Sequence, residues 1–442
     1  MDGGHHESRN GCEWQVLHPR TLLKQLLQLA VLGLLVGLAC WPFNLFDQWQ
    51  DALLRRLPAF TGQRWSAQAV ALACSPLLAT PLVLWLQTGA WQRGAGSGIP
   101  QTMASIEEPD QARGLLGPVP TLQRLGLWGI ATLALMPMGR EGPVVQVGAS
   151  VAEGLRRRFP ALLPELNQGQ LLAVAAGAGL AGGFNTPLMG AVFVAEELTS
   201  SFQASLVWPA LVVCGVAAAF SNLAGQPEFA LGILGVEPIE LIQVLWAVPI
   251  GVAGGLLGAL FGRLLLAMTA RLKPQVRRYP LRIGLALGGL LSLFAVLSRG
   301  TSTGDGEALM THIIAGDGLD GVGSSLLTLV VRVLGPVLAL GAGIPGGLID
   351  PSLAFGAVFG RGLGDLAGLG PLGMALGMAS GLAGATQLPV MTVVFALRLA
   401  GDQQLLPGVL VSAALAAYVS RLLLAKPIYH ALHELFAAPT AP

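Results

Sequence analysis

Charged side chains divide this chain into long apolar runs. Residues 25–46, 65–92, 125–139, 166–195, 198–227, 241–262, 283–298, 333–349, 366–397 and 403–420 contain no Asp, Glu, Lys or Arg. A spanning helix takes about 20 consecutive apolar residues, so the pattern predicts an all-α, multi-pass membrane protein. The runs that begin at 65, 166, 198 and 366 are too long for one upright helix and are interrupted by Pro or Gly. Each is expected to fold as a helix pair or a re-entrant piece. Such breaks expose backbone N–H and C=O groups that hydrocarbon cannot satisfy, so they must be buried in protein or line a polar cavity. The broken segments therefore mark where function is expected.

Composition narrows the choice. Of 442 residues, 53% are hydrophobic and 11% charged, whereas soluble domains carry roughly 25% charged residues; a soluble globular protein is excluded. Gly (60) and Pro (29) are abundant, as suits broken helices in a membrane. Lys plus Arg (25) nearly balances Asp plus Glu (24), which leaves no basic face for nucleic acid. Cys12, Cys40, Cys74 and Cys214 lack metal-ligand or CxxC spacing and read as small core residues, so no metal or other cofactor is expected.

The first twenty residues are polar and lack the form of a cleavable signal peptide, so the first apolar segment is expected to be retained. Basic clusters at Arg156 to Arg158 and Arg271 to Arg282, with Arg9, Arg20 and Lys24 ahead of the first span, predict cytoplasmic termini. The last charge-free run closes at residue 420. The expectation is a short tail at 431–442 with no regulatory domain, in a prokaryotic inner (plasma) membrane.

An internal repeat is visible. GLAGGFNTPLMGAVF (179–193) and GLAGATQLPVMTVVF (381–395) share Gly, Leu, Ala, Gly, Pro, Met, Val and Phe at an offset of 202. The same offset sets Gly139 on Gly341, Pro143 on Pro345 and Ser150 on Ser352. After a polar segment at 1–20, a membrane domain at 21–430 is expected to contain two halves, about 21–228 and about 240–430. Transporter repeats of this kind are often inverted, with the substrate at their interface near mid-membrane.

Three Gly/Pro-rich breaks carry the chemistry: GAGSGIPQ (94–101), GREGPVVQVGAS (139–150) and GAGIPGGLIDPSLAFG (341–356). Each is placed to start a helix, where Pro costs no needed N–H. A helix N-terminus offers free N–H groups and partial positive charge, which together suit an anion. In this order the breaks resemble the three signatures of the CLC family of chloride channels and chloride/proton antiporters, GSGIP, G(K/R)EGP and GxFxP, here at Gly96–Pro100, Gly139–Pro143 and Gly347–Pro351. GFNTPLMGAVFVAEE (183–197) and KPIY (Lys426–Tyr429) extend the resemblance over essentially the whole chain. It implies a homodimer with one pore per subunit and many tilted, broken helices in two inverted halves.

The resemblance also implies roles. Ser97 and Tyr429 match the two hydroxyl ligands of the central anion site. Glu141 matches the external gating glutamate, which occupies an anion site when ionised and leaves when protonated. Glu197 matches the internal proton-transfer glutamate, while Glu196 is expected to be a water-facing helper. The third motif departs from the pattern, with Ile349 where Phe is expected. Backbone N–H groups do not depend on side-chain identity, so Leu348 and Ile349 remain candidate anion ligands. Asp350 would repel a nearby anion; it is expected to turn away as a helix cap, or otherwise to modify selectivity.

The function implied is exchange of chloride or a related anion against protons. A passive voltage- or pH-gated chloride channel of the same fold is the alternative, and a fluoride-selective relative fits the GSGIP serine and the tyrosine poorly. No enzymatic activity is expected. A serine-protease arrangement of Ser97 with His312 or His430 lacks the first glycine of a GxSG motif, and neither histidine lies in an apolar helix near a second small-residue motif, while nucleophilic catalysis needs a base within reach; a metal site at His430, His433 and Glu434 fits a surface helix tail better.

Overall fold

Helix starts fall at the prolines and at the glycine breaks. The computed structural model describes residues 19–224, 241–315, 321–401 and 403–437, so most of the 1–20 segment and the end of the 431–442 tail lie outside the described residues. In the first half the helices are α1 (Pro19–Ala39), α2 (Trp41–Leu54), α3 (Ser75–Thr88), α4 (Ile99–Glu107), α5 (Pro118–Leu133), α6 (Glu141–Arg158), α7 (Gln168–Phe184), α8 (Pro187–Phe193) and α9 (Ala204–Ser221). The second half holds α10 (Ala247–Arg278), α11 (Pro280–Leu297), α12 (Glu307–Ile314), α13 (Gly321–Gly341), α14 (Ile349–Ala367), α15 (Pro371–Thr386), α16 (Pro389–Ala400), α17 (Leu406–Leu423) and α18 (Ile428–Ala437). Short helical turns connect some of these, and the described residues contain no strand. Among the described residues, seven helical segments are long and apolar enough to cross a bilayer. The chain is an integral multi-pass membrane protein.

Three of the four over-long runs split as expected. The run from 166 breaks at Asn185 (φ 49°), between α7 and α8, and the run from 366 breaks at Gln387 (φ 62°), between α15 and α16. In each case a residue in the left-handed region ends one helix and a proline starts the next. The run from 65 divides at Cys74 into Ala67–Ala73 and α3. The run from 198 does not split. It forms the single helix α9, with Pro209 inside it, and the rest of its described length is taken up by the turns on either side.

The two halves do repeat, but not in one register. Asn185 and Gln387, and Pro187 and Pro389, keep the expected offset. Ahead of them the equivalence shifts by six residues. Glu141 and Ile349 start equivalent helices, and Gly139 pairs with Gly347 rather than Gly341, each N–H donating to the other's carbonyl (2.9 and 3.0 Å). Pro143 therefore matches Pro351. The physical reason is a loop: 159–167 joins α6 to α7, whereas the shorter 368–370 joins α14 to α15. Across the Gly139–Gly347 bridge the two segments run antiparallel, as a two-fold relation between the halves gives.

At the centre of each half lies a helix made almost wholly of Gly, Ala and Leu. α7 and α15 bury nearly every residue. Gly148 of α6 faces the backbone of α7, and Gly360 of α14 faces that of α15, so closely that a Cβ would overlap it. Such small-residue contacts let helices pack where lipid supplies no hydrophobic drive. They also hold the first turns of α6 and α14 against the molecular centre, where the site is built.

Candidate functional site

The site is assembled from four helix starts, those of α4, α6, α14 and α18. The loop before α4 turns through Gly96 (φ 84°) and Gly98 (φ 112°), conformations that glycine adopts without strain. Arg124 of α5 is fully buried and holds this loop, its Nε donating to the Gly96 carbonyl (3.0 Å) and Nη2 to that of Ala95 (2.9 Å). The Gly96 N–H donates to the Gly343 carbonyl (2.9 Å), tying the first break to the third. Ser97 stands between the two glycines against the first turn of α6 at Gly142. It lines a cavity of about 650 Å³ whose wall also includes Arg93, Gln101, Lys273, Arg277 and Leu348.

Glu141 opens α6 and is fully buried. Its Oε1 accepts the Asp350 backbone N–H at 2.7 Å, so the carboxylate sits at the N-terminus of α14. Anions are held at such a helix end. Gly347 makes the seat, since a Cβ there would overlap the Glu141 carboxylate. Leu348 and Ile349 occupy the N-cap and first position of α14, both buried. Glu141 begins α6 and Leu348 and Ile349 begin α14, two helix starts that the fold brings together.

Asp350 does not cap. Both of its carboxylate oxygens are buried without a hydrogen-bond partner, and α14 has no side-chain cap. The reason is direction: its side chain turns toward Gly139, where a Cβ would stand 2.7 Å from an Asp350 oxygen and 2.7 Å from Glu141 Oε1. Two buried carboxylates thus flank one glycine. Arg140 is an anchor: its Nη1 lies 2.7 Å from Asp47, its Nη2 lies 3.6 Å from Glu307, and the guanidinium lies over the Phe184 ring at 4.9 Å.

Tyr429 reaches the site from the second half. It is 1% exposed, its hydroxyl is buried with no hydrogen-bond partner, and its ring meets Phe193 edge-on at 6.3 Å. An unpartnered buried hydroxyl is a donor available to an anion.

Glu197 and Glu196 lie on a π-turn, Val194–Leu198, that continues α8. The wide turn separates their side chains. Glu197 points inward, 1% exposed, with Oε1 3.1 Å from His430 Nδ1. Glu196 is not a water-facing helper. Its Oε1 accepts the Val390 N–H (3.0 Å) and its Oε2 the Met391 N–H (2.7 Å), so it caps the start of α16.

The other sequence candidates separate. His312 packs edge-on against Phe60 at 5.8 Å and His430 against Glu197, so Ser97 has neither as a base. His433 faces Glu107 and Glu434 pairs with Lys426, which disperses the proposed metal group. One constellation is not visible in the sequence pattern: Asp47, Asp305 and Glu307 bring carboxylate oxygens within 4.8 Å of one another beside Arg140. Gly304-Asp305-Gly306 repeats the Gly96-Ser97-Gly98 turn in the shifted register, a signal that the offset of 202 concealed.

A profile of the family described as "Voltage gated chloride channel" matches residues 78–421. The chain is 31% identical over 434 residues to the H(+)/Cl(-) exchange transporter ClcA of Yersinia pseudotuberculosis serotype IB (strain PB1/+), covering 93% of this chain and 88% of that one. ClcA of Yersinia pestis is also 31% identical, over 432 residues with the same coverage. Among solved structures, a slow cyanobacterial Cl-/H+ antiporter superposes with a TM-score of 0.74 at 23% identity, covering 95% of this chain and 98% of that one. A CLC-type fluoride/proton antiporter gives 0.74 at 24%, covering 92% and 97%.

Proposed function

This chain belongs to the voltage-gated chloride channel (CLC) family, and we propose that it exchanges chloride for protons across a membrane. The observation that carries this reading is the Glu141 carboxylate seated on the N-terminus of α14, with the Asp350 N–H at 2.7 Å. A carboxylate in an anion's seat competes with the anion for the same donors. Protonation removes the charge that the helix end attracts, so the side chain leaves and an anion takes its place. Occupancy and proton binding are then coupled through one residue. Glu197, buried with His430 beside it, serves as the second proton carrier. The relatives named as H(+)/Cl(-) exchange transporters support exchange over a passive channel.

In this reading Ser97 and Tyr429 donate hydroxyls to a central anion, and the N-terminal amides at Leu348 and Ile349 hold an outer one. Asp350 modifies selectivity by charge. An ionised carboxylate about 4 Å from an anion costs about 4 kcal/mol at an effective dielectric of 20, so Glu141, Asp350 and the anion are not all charged together. The basic cavity at Arg93, Lys273 and Arg277 concentrates anions ahead of Ser97. We further propose the expected arrangement around this site: repeats at about 21–228 and about 240–430 of a 21–430 membrane domain, a homodimer with one pore per subunit, and a prokaryotic inner membrane with cytoplasmic termini. The test is proton movement in proteoliposomes under a chloride gradient with the membrane potential clamped. Uphill proton flux driven by chloride supports exchange; chloride flux without it makes the protein a channel.

A further inference from the structure

We propose that His430 is the proton-delivery residue of Glu197, carrying protons between water and the buried carboxylate. The inference rests on the exchange reading above. Glu197 has 1% of its side chain exposed, so it needs an intermediary to reach water. Its sequence neighbour Glu196 is unavailable, because both its oxygens are engaged by the first-turn N–H groups of α16. His430 has the required placement. Its Nδ1 is buried 3.1 Å from Glu197 Oε1, while 38% of its side chain is exposed.

An imidazole bridging a carboxylate and water moves a proton without net change to itself. Water protonates Nε2 of the Nδ1–H tautomer, Nδ1–H passes its proton to the Glu197 carboxylate, and rotation of the neutral ring about Cβ–Cγ brings Nδ1 to water, where loss of the Nε2 proton and gain of one at Nδ1 restore the starting tautomer. The opposite sequence unloads the carboxylate. Helix α18 positions the ring, since Tyr429 at the preceding position is buried against Phe193. The remaining charged groups about His430 are Glu107 at the end of α4, which faces His433, and Glu434, which pairs with Lys426. Among the described residues His430 is the one paired with Glu197.

The test compares full-length wild type, His430→Ala, His430→Gln and Glu196→Gln in proteoliposomes, following chloride-driven proton uptake. Both His430 variants are expected to slow proton uptake at least about tenfold, the lower range for loss of a positioned proton-transfer group being larger still. Added imidazole is expected to restore His430→Ala, which a merely structural role would not allow. Glu196→Gln, which keeps one oxygen for one of the two α16 N–H groups and gives up the other bond, is expected to retain the wild-type rate. Proton uptake in His430→Ala equal to wild type overturns the inference, as does a loss that imidazole leaves in place. Absence of chloride-driven proton movement in the wild type overturns the exchange reading and this inference together, whereas wild-type movement unaltered by the variants overturns only the latter.

Discussion

The loop ahead of α4 and the loop ahead of α12 can be laid on each other residue by residue. Gly96 and Gly98 match Gly304 and Gly306, all four at positive φ. Arg124 holds the first loop through two carbonyls; Arg332, fully buried, holds the second through three, those of Thr301 (2.5 Å), Thr303 (2.7 Å) and Gly304 (2.9 Å). Between the glycines, however, stands Ser97 in one loop and Asp305 in the other. The same exchange of chemistry occurs at the next helix starts, where Glu141 matches Ile349 and Gly142 matches Asp350. One loop opens on a cavity with Arg93, Lys273 and Arg277; the other adjoins the carboxylates of Asp47 and Glu307 beside Arg140. The two copies share a backbone and differ in single side chains: a hydroxyl beside a basic cavity in one, a carboxylate among other carboxylates in the other.

That comparison can be broken most directly at Glu141. If only the first-half copy carries the coupling acid, Glu141→Gln abolishes chloride-driven proton uptake in proteoliposomes while chloride still crosses; persistent proton uptake would place the coupling elsewhere. Next comes Gly347→Ala, whose Cβ overlaps the seated carboxylate. Proton coupling is expected to fall several-fold without any change to an ionisable group, and a coupling ratio equal to wild type would show that the seat is not used.

The shared backbone is sharpened by the two arginines. Arg332→Ala leaves three carbonyls without their charged donor, and at about 1.5 kcal/mol or more for each hydrogen bond to a charged group the loss is expected to exceed that of Arg124→Ala. Thermal unfolding in detergent, with a lower Tm for the Arg332 variant, checks this order. Ser97→Ala removes one hydrogen bond to an anion, about 1.5 to 3 kcal/mol, so chloride affinity by calorimetry is expected to weaken about tenfold or more. The smallest effect is expected for Asp305→Asn. Asp305 Oδ1 accepts the Glu307 N–H (3.0 Å), which an amide oxygen can also do, so Tm should move little while anion affinity stays the same.

Helix starts, membrane class and the residues of the first turns were legible because they depend on local chemistry. Proline and glycine dictate backbone at their own positions, charge-free runs of spanning length are excluded from water, and an acid at a helix start is visible as such. The repeat was legible only where its register is continuous; the loop 159–167 broke it, and with it the match of Gly139 to Gly347 and of Ser97 to Asp305. What required the tertiary structure was direction and distance. Asp350 reads as a cap from its position before Pro351, yet packing turns its carboxyl toward Gly139. Glu196 and Glu197 are adjacent in sequence, and the π-turn sends one to the start of α16 and the other to His430. Glu141 and the α14 terminus are far apart along the chain, and only the antiparallel bridge between Gly139 and Gly347 brings the carboxylate within 2.7 Å of the Asp350 N–H. Local sequence determines which groups exist and what backbone carries them; which of them meet is decided by helix packing, because contacts between distant segments are set by the shapes of the surfaces brought together.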